Sequence, residues 1–153
     1  MISGLRNDAV RFAHHILRMG FLFSDGWPDM TSYRRAYAPG ATWFFTVALA
    51  ERRENRLLVE RVDALRSVFR DVQARHPFRV DAIVILPEHL HCLWTLPSGD
   101  ADFSMRWSLI KARFSRSIPA GERLSASRAK RCERGIWQRR FWEHLIRDEE
   151  DFA

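Results

Sequence analysis

Apolar residues recur with a period that changes several times along the chain, and each change marks an element. Residues 41–50 (ATWFFTVALA) are rich in β-branched and aromatic side chains and predict a strand. Over 57–75 the period turns helical: Leu58, Val62, Leu65, Phe69 and Val72 fall at steps of four and three, giving one apolar stripe. Pro77 ends that helix. Residues 78–86 predict a strand with Val80, Ala82, Val84 and Leu86 on one face. Pro87-Glu88 makes a tight connection, residues 89–96 return as a strand, and Pro97-Ser98-Gly99-Asp100 closes it. Phe103, Trp107, Ile110 and Phe114 form a second helical stripe that ends near Pro119. Segment 120–135 is polar and basic and predicts a mobile loop, and 135–146 predicts a last strand with Trp137 and Phe141 on its apolar face.

The order is β-α-β-β-α-β, which implies an α+β, ferredoxin-like fold: a mostly antiparallel sheet with both helices on one face. The short middle connection makes the two central strands a hairpin. Residues 1–29 differ in texture, with His14-His15, a Gly20 break and an Asp25-Gly26-Trp27-Pro28 turn ahead of Met30. The expected organisation is an N-terminal extension over 1–29, natural arm or upstream sequence, and a domain over 30–153. At the other end, Asp148-Glu149-Glu150-Asp151 reads as a helix start, an N-cap followed by acids in the first turn, with Phe152 as the first apolar residue.

Composition narrows the class. The chain has 153 residues, 46% of them hydrophobic, enough for one domain with a sizeable core and too many for a disordered segment. Two cysteines, Cys92 and Cys132, make no disulfide framework, and no apolar run reaches the length of a membrane span, so the cytoplasm is the expected compartment and no membrane an expected partner. The net charge of +6 is unevenly spread. Between Arg106 and Arg140 stand eleven Arg and Lys residues against only Glu122 and Glu133, inside an otherwise mildly acidic chain. Such a block is the footprint expected of a phosphate-backbone binder; the competing reading is a solvated arginine-rich surface.

Chemistry concentrates at His89-Leu90-His91. Residues i and i+2 of a strand share a face, so the two imidazoles sit side by side while Leu90, Cys92 and Trp94 turn toward the core. Two convergent imidazoles on a rigid strand supply two donors for a divalent metal; two surface histidines on a half-exposed strand are the plainer alternative. Cys92 faces away from both, and Cys132 has no CxxC spacing, which argues against structural zinc.

The stretch 83–91 (IVILPEHLH), an apolar strand, a Pro-acid turn and then His-apolar-His, resembles the HUH motif of the single-tyrosine transposases, in particular the bacterial REP-associated tyrosine transposases. Tyr33-Arg34-Arg35 ahead of Phe44-Phe45-Thr46, Lys111-Ala112-Arg113-Phe114-Ser115 on the second helix, Trp137-Gln138-Arg139-Arg140-Phe141-Trp142-Glu143-His144, and Ile146-Arg147-Asp148-Glu149-Glu150-Asp151 resemble the same family, in the same order, over roughly 31–153. The resemblance implies a metal-dependent nuclease and strand transferase acting on single-stranded or hairpin DNA, in which His89 and His91 hold Mg²⁺ or Mn²⁺ against the scissile phosphate. It also places the tyrosine nucleophile, and a polar side chain completing the metal site, on a helix after the Arg-Asp-Glu-Glu-Asp segment. The chain stops at Ala153 and its tyrosines are Tyr33 and Tyr37, so the expectation is a DNA-binding domain without tyrosine-mediated cleavage. The expected DNA contacts are Arg34, Arg35, Lys111, Arg113, Arg116, Arg128, Lys130, Arg131, Arg139 and Arg140, with Tyr33, Trp137 and Trp142 as stacking candidates, though core is the stronger reading for Trp137. His144 reads as a surface residue. A non-catalytic nucleic-acid-binding module on the same sheet is the alternative, a homodimer is an open state, and an inert remnant is a third reading.

Overall fold

The computed structural model describes residues 37–147. The extension 1–29, Tyr33, Arg34, Arg35 and the acidic segment 148–151 lie outside the described residues.

Strands β1 (Thr42–Ala48), β2 (Arg79–Ile85), β3 (His89–Thr95) and β4 (Trp142–Ile146) form one sheet in the order β2-β3-β1-β4, with every neighbouring pair antiparallel. The helices are α1 (Leu57–Glu60), α2 (Val62–Arg75), α3 (Phe103–Ser117) and the short α4 (Ala126–Lys130). This is the α+β, ferredoxin-like arrangement that the order of periods implies. The first helical stretch breaks in two at Arg61; of its stripe, Leu58, Leu65, Phe69 and Val72 are buried, and Val62, next to the break, is half-buried. In α3 the four predicted stripe residues are buried, and the Asp102 carboxylate caps the N-terminus by accepting from Met105 N–H at 2.9 Å.

Both long helices bury their stripes on one face of the sheet. Trp43, Phe45 and Val47 of β1 and Leu90, Cys92 and Trp94 of β3 face them. The core is unusually aromatic, with Trp94 stacked on Trp107 at 4.4 Å between centroids and Phe78 4.2 Å from Trp94. On the opposite face Phe44, Leu93 and Ile146 make a smaller buried cluster.

Three details depart from the sequence expectations. First, the pairing of β2 with β3 shifts register between Val80 and Ala82. The even alternation expected for 80–86 therefore does not hold: Val80 and Ile85 pack on the core, while Ala82 joins the opposite cluster. Asp81 occupies the bulge, accepting from Arg79 Nε at 2.5 Å and from Thr95 Oγ1 at 2.6 Å. Second, the last strand is split. Trp137 bridges Leu49, Ala50 N–H donates to the Ile136 carbonyl and Gln138 N–H to the Ala48 carbonyl, but pairing resumes as β4 only at Trp142. The Lys111 ammonium fills the interruption, donating to the carbonyls of Gln138 (2.5 Å) and Arg139 (3.1 Å). Third, segment 120–135 carries α4 and a dense local network. Arg134 grips both oxygens of Glu122 and donates to the Ser115 carbonyl at 2.8 Å, and Gly135 N–H donates to Glu122 Oε1 at 3.3 Å. A side chain at Gly135 would stand 2.8 Å from the Arg123 carbonyl oxygen, which explains glycine there.

The Arg134 guanidinium, helped by backbone N–H groups against the opposing effect of burial, holds the Glu122 carboxyl at about 2. Its folded value lies below the ordinary 4.5, so the stabilisation is fully present above that value and is lost as the pH falls toward about 2. Glu122→Gln should cost about 2 kcal/mol at neutral pH, the range for hydrogen bonds to charged groups, and urea unfolding should show the deficit shrinking in acid.

Candidate metal and nucleic-acid site

His89 and His91 lie on the sheet face away from the helices, as their spacing requires. Their ring centroids are 4.9 Å apart and their planes nearly perpendicular at 85°. Three elements fix the turn that leads into them. Leu49 N–H, just past β1, donates to the Glu88 carbonyl at 2.8 Å; Leu58 N–H in α1 donates to the Pro87 carbonyl at 3.1 Å; and Leu86 N–H closes the hairpin on the His89 carbonyl at 2.9 Å. The Pro-Glu turn is thus a held connection between two ladders.

Each imidazole has a partner at Nδ1. His89 Nδ1 lies 3.0 Å from Glu88 Oε1, and His91 Nδ1 lies 2.9 Å from Thr46 Oγ1, the residue directly opposite it on β1. Burial raises the Glu88 carboxyl, but its own backbone N–H, His89 and Arg52 together bring it below the usual value. Arg52 Nη2 reaches the same oxygen at 3.4 Å. His91 is only 8% exposed and stacks on Phe44 at 5.6 Å. Burial, then the neighbouring His89, push its imidazole down to about 4, so it is neutral at physiological pH, the form that ligates.

With both Nδ1 atoms engaged, the nitrogens that remain for a metal are the two Nε2 atoms. That is the outer-shell arrangement seen at histidine metal sites. The pair fits as two donors of a divalent ion. Among the described residues no third His, Cys, Asp or Glu joins them in a metal-sized group. Cys92 is buried on the far face and Cys132 is exposed in the basic segment; neither is near the pair's donor face.

The basic block divides into two kinds of residue. Arg106 is 2% exposed and Arg134 is committed to Glu122. Lys111 is spent on two carbonyls and lies 5.7 Å from the Phe141 ring; burial, then the charge of Arg128, bring its ammonium down to about 8. Arg128 donates to the carbonyls of Arg134 (2.9 Å) and Trp137 (2.8 Å). Arg139 is held by Glu133 at 2.7 Å and Ser127 at 3.0 Å, and Arg131 lies 4.0 Å from Glu133. Arg116, Lys130, Arg131, Arg139 and Arg140 are exposed, and Arg113 is half-buried. Trp137 is core, Trp142 is half-buried on the histidine face with its ring parallel to that of exposed His144 at 5.7 Å, and no described helix is long and apolar enough to cross a membrane.

No protein-family model matches the chain. A REP-associated tyrosine transposase of Escherichia coli is 45% identical over 123 residues, which cover 80% of this chain and 66% of that protein. A Haemophilus influenzae protein assigned to the same transposase group is 41% identical over 125 residues, 81% of this chain and 70% of that one. The chain belongs to the REP-associated tyrosine transposase family. It spans about two thirds of the length of these relatives. A solved structure of a REP-associated tyrosine transposase bound to a REP hairpin superposes with a TM-score of 0.67 at 45% identity, over 80% of this chain and 66% of that one. A second solved structure, of a transposase from Deinococcus radiodurans, shares the fold at a TM-score of 0.50 and 14% identity, over 78% of this chain and 89% of that one.

The sequence of this transposase-family chain points to the histidines but gives no role to the residues hydrogen-bonded to them. Glu88 stands next to His89, so its carboxylate is a legible partner. Thr46 becomes legible only once the β1–β3 register is known.

Proposed function

We propose that this chain is the DNA-recognition domain of a REP-associated tyrosine transposase, one that binds a DNA hairpin with an adjoining single strand beside a divalent-ion site built on His89 and His91. The observation that carries the proposal is the pair itself: two neighbouring imidazoles on the sheet face away from the helices, each tied at Nδ1, leaving Nε2 for an ion. Its support is the 45% identity to a transposase solved with a REP hairpin. The ion, Mg²⁺ or Mn²⁺, would neutralise charge on a phosphate oxygen; nitrogen donors favour Mn²⁺ of the two.

The chain's own residues bind and align the strand. Arg113, Arg116, Lys130, Arg131 and Arg140 are the backbone contacts in this reading, with Arg139 beside them. Lys111 and Arg128 act from beneath by holding the chain over residues 134–139 that presents Arg139 and Arg140. Arg34 and Arg35 remain candidates from the sequence alone.

Fluorescence anisotropy with a tailed hairpin, its plain duplex and an unstructured strand, each with and without Mn²⁺ and over a range of salt, tests the proposal. The tailed hairpin should bind tightest and respond to Mn²⁺. Neutralising Arg116, Lys130 or Arg140 singly should lower the slope of log affinity against log salt by about 1 each. Equal, metal-insensitive binding to all three DNAs would reduce the site to a basic surface and sink the proposal.

A further inference from the structure

We infer that Glu88 and Thr46 are positioning residues: Glu88 fixes the tautomer of His89 so that it presents an unprotonated Nε2, and Thr46 holds the His91 ring and, by the direction of its hydroxyl, sets whether His91 does the same. The inference rests on the metal-site reading above and goes beyond it to residues that are not themselves donors.

The argument is one of hydrogen-bond bookkeeping. An ionised carboxylate only accepts. Glu88 Oε1 at 3.0 Å from His89 Nδ1 therefore requires the proton on Nδ1, and a neutral imidazole protonated there carries its lone pair on Nε2. Arg52 donates to the same carboxylate oxygen at 3.4 Å and helps to hold the carboxylate in place beside the ring. His89 is thus set before any ion arrives.

Thr46 acts differently. Its hydroxyl lies 2.9 Å from His91 Nδ1 and either donates or accepts. When it accepts, His91 also offers Nε2; when it donates, His91 holds its proton on Nε2 and is no ligand. Rotation of one hydroxyl therefore switches the second donor, while the first stays locked. Cross-strand register puts Thr46 in that position: it faces His91 across the β1–β3 ladder, and Phe44 on the same strand stacks on the ring and limits its rotation.

Side-chain ¹⁵N–¹H NMR of the metal-free 153-residue chain at neutral pH reads the tautomers directly, and calorimetric titration with Mn²⁺ reads affinity. The neutral form of His89 should appear as the Nδ1–H tautomer alone. Glu88→Gln should convert it to a tautomer mixture, because the amide both donates and accepts. Glu88→Gln and Thr46→Val should each weaken Mn²⁺ binding about 10–100-fold, the usual effect of removing an outer-shell partner, and Thr46→Ser should restore most of it. Thr46→Val keeps shape and strand preference, so its backbone spectrum should match the parent's. A metal-free, neutral His89 protonated on Nε2, or an unchanged Mn²⁺ affinity in both variants, overturns the inference. Tautomers as stated in a parent chain that takes up no Mn²⁺ would overturn the metal reading of the site while supporting the locking of the rings.

Discussion

Replacing Arg106 by alanine should destabilise the domain by about 3–5 kcal/mol, because three backbone carbonyls lose a charged donor at about 1–3 kcal/mol each. The side chain is 2% exposed and all three guanidinium nitrogens donate: Nε to the His76 carbonyl at 3.2 Å, Nη1 to the Asp102 carbonyl at 2.8 Å, and Nη2 to the Pro77 carbonyl at 2.7 Å and Asp100 Oδ2 at 2.6 Å. These acceptors belong to the end of α2, the start of α3 and the loop after β3. One residue therefore ties both crossover connections together, and removing it takes the donor from three carbonyls, while the Asp100 carboxylate, a third exposed, keeps the Asp102 N–H at 2.8 Å. Arg106→Lys should recover only part of the loss, because a single ammonium cannot reproduce the planar fork. Urea unfolding checks both variants: the midpoint should fall with little change in slope. A loss below about 1 kcal/mol for the alanine variant would mean that water replaces the guanidinium, as at an exposed pair.

Arg106 also shows where charge counting on a sequence misleads. It belongs to the eleven-residue basic block, yet it meets no solvent; Lys111, Arg128 and Arg134 of the same block are likewise turned onto carbonyls or Glu122. Nothing in the spacing of these residues announces it, because an arginine that caps backbone carbonyls and one that meets phosphate occupy the same helix-to-loop positions. The helical stripes were legible because burial of an amphipathic face imposes a period of 3.6, and the histidine pair because a strand imposes a period of two. The bulge at Asp81 was not, since it rests on side-chain bonds to Arg79 and to Thr95, a residue fourteen positions away. The split before β4 was hidden for a similar reason: the group that fills it, Lys111, comes from another element. Local pattern reveals what local geometry determines, and the outer shell of the site, Thr46 above all, depends on strand register.

The same two-fold alternation separates stability from chemistry in β3, and Trp94→Ala should expose that separation. Trp94 is fully buried against Trp107, Phe78 at 4.2 Å, Phe45 at 4.9 Å and Phe69 at 6.1 Å. It joins β3 to β1, to both long helices and to the turn before β2. Truncation to alanine should cost about 3–5 kcal/mol through lost transfer free energy and the cavity left behind, against a total domain stability of about 5–15 kcal/mol. Trp94→Phe should cost less, since an aromatic ring still fills part of the space. His91 and Trp94 point to opposite faces, and the imidazoles are held by Thr46, Glu88 and Phe44, while the indole belongs to the core cluster on the helix side. Under conditions where the alanine variant stays folded, its histidine side-chain resonances should keep the parent's tautomers while its urea midpoint falls sharply. If the histidine signals shift along with stability, the rings take their orientation from the core beneath the strand, and the hydrogen bonds at Nδ1 follow the fold rather than set the site.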